Sequence, residues 1–127
     1  MFCFLDRAAR GSYNEAMKTI TKEFSCPYLS DLEALGPVES ILFFDIETTG
    51  LSSAKDQVYL IGCACVRDGH LMLKQWFADS PAAEAELLVH FYLFASRFSL
   101  LVHFNGDAFD LPFLRERAAR FSTPLPR

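Results

Sequence analysis

Ile41-Leu-Phe-Phe-Asp-Ile-Glu-Thr-Thr-Gly-Leu51 is the stretch on which the fold turns. Its first four residues are continuously apolar, the pattern of a strand covered on both faces rather than one alternating between core and water. The strand delivers Asp45 and Glu47 two residues apart, so an extended backbone turns both carboxylates to the same face. Held close together, such a pair repels, and one member takes up a proton unless a cation neutralises it. An all-oxygen donor set suits Mg²⁺ or Mn²⁺ rather than a softer metal. The turn Thr48-Thr-Gly-Leu51 follows, offering hydroxyls and amides to a phosphate or sugar hydroxyl, with Gly50 allowing close approach to the backbone.

Downstream, Gln57–Arg67 and Leu71–Phe77 read as two more strands. Between them, Arg67-Asp-Gly-His70 is a tight hairpin signal and makes the two antiparallel. Ser80-Pro81 starts a helix, Ser as cap and Pro in the first helical position, with Glu84 and Glu86 where the helix dipole favours negative charge. Leu87, Phe91, Phe94 and Phe98 form an apolar stripe on that helix, which predicts core packing. Ser99–Phe104 reads as a fourth strand, and a last helix runs from near Asp110 to about Phe121, since Pro112 is tolerated only within a first turn. The order β-β-β-α-β-α specifies an α/β domain with a mixed sheet over residues 39–127. Residues 1–38 read as a leader: Met17, Ile20 and Phe24 recur at spacings that predict an amphipathic helix over Tyr13–Phe24, and Gly36-Pro37 punctuates the join.

The chain has 127 residues, enough for one small core, and is 51% hydrophobic with 13 Phe. A net charge of −4 argues against a broad basic surface for gripping nucleic acid. It does not exclude an enzyme that meets phosphates through bound cations, because those supply the positive charge locally. Met1-Phe-Cys-Phe-Leu5 is too short for the apolar core of a signal peptide. The run Leu87–Ala95 falls well below the roughly 20 residues needed to span a bilayer, so a cytoplasmic protein without membrane attachment is expected. Cys63 and Cys65 share one face of a strand, and no third or fourth ligand stands at a zinc-site spacing. Reduced, buried thiols are expected.

A second block, Asn105-Gly-Asp-Ala-Phe-Asp110, ends one apolar strand and opens the last helix, bringing a third carboxylate. With both blocks in view, Phe44-Asp-Ile-Glu-Thr-Thr-Gly-Leu51 resembles the first motif of the DEDD-type 3′–5′ exonucleases on the ribonuclease H-like fold, and Asn105–Asp110 resembles their second. Val102-His-Phe-Asn-Gly-Asp-Ala-Phe-Asp-Leu-Pro-Phe113 is most similar to the YprB-like branch of that superfamily. The resemblance implies that Asp45, Glu47 and Asp110 are catalytic and hold two metal ions, Asp45 being shared. It implies that Asn105 orients the site and that Thr48, Thr49 and Leu51 touch the terminal nucleotide of a single-stranded 3′ end. The implied reaction is in-line hydrolysis of a phosphodiester, the two ions about 4 Å apart stabilising attacking and leaving oxygens.

The family's third motif, a Tyr or His base and a fourth carboxylate on a helix after a fifth strand, has no counterpart after Glu116. The expected domain is therefore C-terminally incomplete, and its unpaired sheet edge favours self-association. Among spare groups, Asp107 reads as solvated, His103 as a sheet-face histidine that could act as a base, and His70 and His90 as ordinary. Arg115, Arg117 and Arg120 read as a solvated helix face. An alternative function is a catalytically inactive truncated nuclease fold acting as a binding or scaffold module, or a gene fragment. A third, a phosphotransferase of the haloacid-dehalogenase type, requires a second Asp where Glu47 stands and a later Lys, for which only Lys74 is available.

Overall fold

The apolar run at Ile41 becomes an interior strand. The computed structural model describes residues 17–104 and 108–121. Five strands, β1 (Met17–Ser25), β2 (Ile41–Thr48), β3 (Val58–Arg67), β4 (His70–Ala78) and β5 (Leu100–Val102), form one sheet in the order β1-β4-β3-β2-β5. β2, β3 and β4 make an antiparallel meander, while β5 lies parallel to β2 from Ile41↔Leu100 to Phe43↔Val102. The sheet is mixed, as the element order required. Asp68 and Gly69 both take positive φ (51° and 76°), the conformation that closes a two-residue hairpin between twisted strands.

Three α-helices, α1 (Leu29–Glu33), α2 (Glu84–Ala95) and α3 (Asp110–Arg120), and two 3-10 turns, Val38–Ser40 and Pro81–Ala83, complete the elements of the described residues. The stripe on α2 packs into the core as expected, with Leu87, Phe91 and Phe94 buried and Phe98 packed against the cluster. Phe91 meets Phe44 of β2 and Trp76 of β4 at ring-centroid separations of 5.5 and 6.1 Å. Burying each such large side chain is worth about 1.5–3 kcal/mol. Phe113, Leu114 and Ala118 bring α3 into the same cluster. The helix after Ser80 opens with a 3-10 turn, Pro81–Ala83, before α2 proper. Ser80 caps it with its backbone carbonyl, accepting the Ala83 amide at 3.1 Å, and its side chain makes no cap hydrogen bond.

The N-terminal segment departs from expectation. Within the stretch predicted as helix, residues 17–24 belong to β1, paired antiparallel with β4 from Met17↔Ala78 to Ser25↔His70. The part of that stretch before Met17, and Cys3, lie outside the described residues. Two physical terms override the helical spacing. Thr19, Ile20 and Thr21 are β-branched and lose side-chain freedom in a helix. The outer edge of β4 also offers a complete ladder, and satisfying backbone groups there outweighs an apolar stripe that would have little to pack against.

Cys63 and Cys65 are buried and free, and burial pushes both thiols upward, the Cys63 thiol strongly. Among the described residues no helix is long and apolar enough to cross a membrane.

Candidate active site

Strand alternation sorts β2 into two faces. Phe44 pairs with Cys63 and faces α2, whereas Asp45 pairs with Gly62, which pairs in turn with Gln75 and that with Ile20. Asp45 therefore stands at the end of a row on the other face, and Glu47 shares its parity. Beside it is a cavity of about 440 Å³, walled by Ile20, Phe43, Leu73 and Val102, with Asp45, Gln75 and His103 among its polar lining. Gly62, opposite Asp45, contributes no side chain to fill that space.

Asp110 opens α3 and is only 5% exposed. Its Oδ2 is buried without a hydrogen-bond partner among the described residues. Burial pushes its carboxyl above the usual range, the charges of Asp45 and Glu47 push it further, and His103 pulls it back. Asp45 and Glu47 thus lie near enough to Asp110 for their charges to act on its carboxyl. Among the described residues, however, no three His, Cys, Asp or Glu side chains are gathered around one point closely enough to hold a metal ion. Asn105 and Asp107 lie outside the described residues.

His103 sits just past β5, edge-on to Phe44 at 5.6 Å. It lines the same cavity as Asp45. His70 and His90 are exposed and far less connected, His90 lying 3.7 Å from Glu86 on the same helix.

The loop after β2 is internally bonded. A bulge between Glu47 and Thr48 ends the regular ladder with β3. The Thr49 amide donates to the Gln57 carbonyl, and the Gln57 amide donates back to Thr49 Oγ1, both at 2.9 Å. Thr48 Oγ1 donates to the Gly50 carbonyl at 2.6 Å. So the Thr49 amide is already committed, while its hydroxyl keeps a proton to donate and the Thr48 hydroxyl keeps lone pairs to accept. Leu51 is 87% exposed at the loop's tip. The Asp56 carboxylate accepts the Ser52 amide at 2.9 Å and lies so close to Gly50 that a Cβ there would fall 2.3 Å from Oδ2.

Two groups were missed from sequence. Arg117 does not belong to a solvated face: it is 7% exposed, and its guanidinium grips Glu84, itself 1% exposed, with Nε to Oε1 at 2.8 Å and Nη2 to Oε2 at 2.6 Å. Glu84 Oε1 also accepts the Val58 amide at 3.0 Å, and Arg117 Nη1 donates to the Ser53 carbonyl at 3.3 Å. Arg117 falls on the same side of α3 as Phe113, Leu114 and Ala118, which was the available signal. Arg115 and Arg120 are exposed as expected. Lys74 lies on the opposite sheet face from Asp45, its ammonium over the rings of Trp76 and Phe94, so it cannot serve the phosphotransferase reading.

A family model described as RNase_H superfamily matches residues 42–126. The uncharacterized protein YprB of Bacillus subtilis (strain 168) is 35% identical over 89 residues, 69% of this chain. The chain spans 21% of that protein's length.

Proposed function

Because the chain belongs to the RNase_H superfamily, we propose that it is a metal-dependent nuclease domain that hydrolyses phosphodiester bonds from a single-stranded 3′ end. The observation that carries this reading is Asp110: a buried carboxylate with an oxygen that has no partner among the described residues, and on which the charges of two further acids act. Repulsion of this kind is relieved by a divalent cation, and an all-carboxylate donor set selects Mg²⁺ or Mn²⁺. Asp45, Glu47 and Asp110 would hold the ion, drawing together as it binds. When bound, the metal supplies positive charge to the attacking and leaving oxygens of the displacement. Thr49 donates its hydroxyl proton, Thr48 accepts from a sugar hydroxyl, and Leu51 offers apolar contact to the terminal base. Asn105, outside the described residues, is assigned the orienting role by the motif resemblance alone.

The test has two parts. Calorimetry should show Mn²⁺ binding to the parent chain and its loss in Asp45→Ala. A 5′-labelled single-stranded oligonucleotide should shorten stepwise from its 3′ end in Mn²⁺, and Asp45→Ala, Glu47→Ala and Asp110→Ala should each abolish this. Oligonucleotide binding without shortening would favour a binding module instead; no metal binding at millimolar Mn²⁺ would sink the catalytic reading.

A further inference from the structure

We propose that the buried Glu84–Arg117 pair is the positioning element of this site, holding the loop that carries Thr49 and Leu51 in register with the helix that carries Asp110. The proposal rests on the nuclease reading for its functional meaning, but its geometry stands apart from it. Arg117 divides its donors between two parts of the chain: Nε and Nη2 go to Glu84, and Nη1 goes to the Ser53 carbonyl in the loop. Glu84 in turn accepts the first amide of β3, where that loop re-enters the sheet. One ion pair thus joins α2, α3, the start of β3 and the middle of the loop. Next to it, Ser53 Oγ donates to Glu116, a second tie between loop and α3.

Each end of this clamp bears on a site residue. Asp110 and Arg117 are both buried on α3 and lie two turns apart, so fixing the guanidinium sets the helix's axial position and roll, and with them the Asp110 carboxylate. Among the described residues Asp110 Oδ2 has no hydrogen-bond partner, so helix placement is what aims it. The loop is stiffened internally by the Thr49–Gln57 and Ser52–Asp56 bonds, so holding Ser53 holds Thr49 and Leu51 as a unit. Stability alone is a poor reason to bury such a pair, since well-packed apolar replacements are often neutral or better. A fork that must satisfy a carboxylate and a carbonyl in different segments also calls for arginine rather than lysine.

Two variants separate positioning from stability. Arg117→Lys keeps the charge pair but not the fork to Ser53. Glu84→Gln combined with Arg117→Met removes both buried charges while leaving an acceptor for the Val58 amide. Leu88→Ala, at a core position 0% exposed, serves as a control of lowered global stability. Amide hydrogen exchange at Lys55, Asp56 and Gln57 should quicken about tenfold in both clamp variants, more than in a Leu88→Ala chain of equal or lower melting temperature. Mn²⁺ affinity, read by calorimetry, should weaken about tenfold in the double variant, the scale expected when a partner that orients a ligand is lost. Folded clamp variants whose loop exchange and Mn²⁺ affinity match the parent would overturn the proposal. A parent chain that binds no Mn²⁺ would instead defeat the nuclease reading, and the exchange data would still decide whether the clamp holds the loop.

Discussion

Asp110 concentrates the tension in this molecule in one residue. Its carboxyl is held above its ordinary value first by burial and then by Asp45 and Glu47. A group whose folded value is raised disfavours the folded state when ionised, and that loss is relieved as pH falls through the raised value. The metal-free chain should therefore gain melting temperature, relative to Asp110→Asn, as pH is lowered from neutrality toward the ordinary carboxylate range. At pH 7 without metal, Asp110→Asn should melt higher than the parent; with saturating Mn²⁺ the order should reverse, and scanning calorimetry with and without EDTA reads both. Gly50 gives a second expectation. A methyl there displaces the Asp56 carboxylate from the Ser52 amide, so Gly50→Ala should cost about 1 kcal/mol in urea unfolding and speed exchange at Ser52. Asp45 and Glu47 could be read from sequence because period-2 alternation fixes which side chains share a face. Arg117 was missed although its place on the face of Phe113, Leu114 and Ala118 sets it apart, because an arginine is ordinarily solvated unless a buried carboxylate such as Glu84 receives it.

At the scale of elements, propensity and packing agreed almost everywhere. The meander, the Asp-Gly hairpin, α2 with its aromatic stripe and the helix opening at Asp110 were all legible from local pattern. β1 was not, because its apolar spacing suits a helix, and what decides it is a ladder supplied by a strand distant in sequence. The packing of α2 on the sheet hangs on Phe91, which touches Phe44, Trp76 and Tyr92 and is 2% exposed. Phe91→Ala should cost about 3–5 kcal/mol in chemical denaturation. If the loss is well below this, the aromatic cluster repacks, and near-ultraviolet circular dichroism from Trp76 should change to match.

At the scale of the whole sheet formed by the described residues, the two outer strands differ. β1 runs the full length of β4, whereas β5 contributes three residues and leaves Leu100 and Leu101 44% and 37% exposed. Flat, apolar edges recruit further strands, while lysine blunts them. Light scattering after size exclusion should show mass rising with concentration, and Leu101→Lys should reduce it. Mass unchanged by concentration in the parent would remove the edge as an association site. The strand order carries one more consequence, and it concerns time. β2, β3 and β4 are consecutive and joined locally, but β1 and β5 must each be recruited across long stretches of chain. Local pairings close first because their loops are entropically cheap, so the meander should form the folding nucleus and the flanks should join later. Asp110 reaches Asp45 and Glu47 only after β5 and α3 have docked. The mutual repulsion of the acids then falls on the late steps, slowing the last docking or hastening its reversal while leaving nucleation untouched.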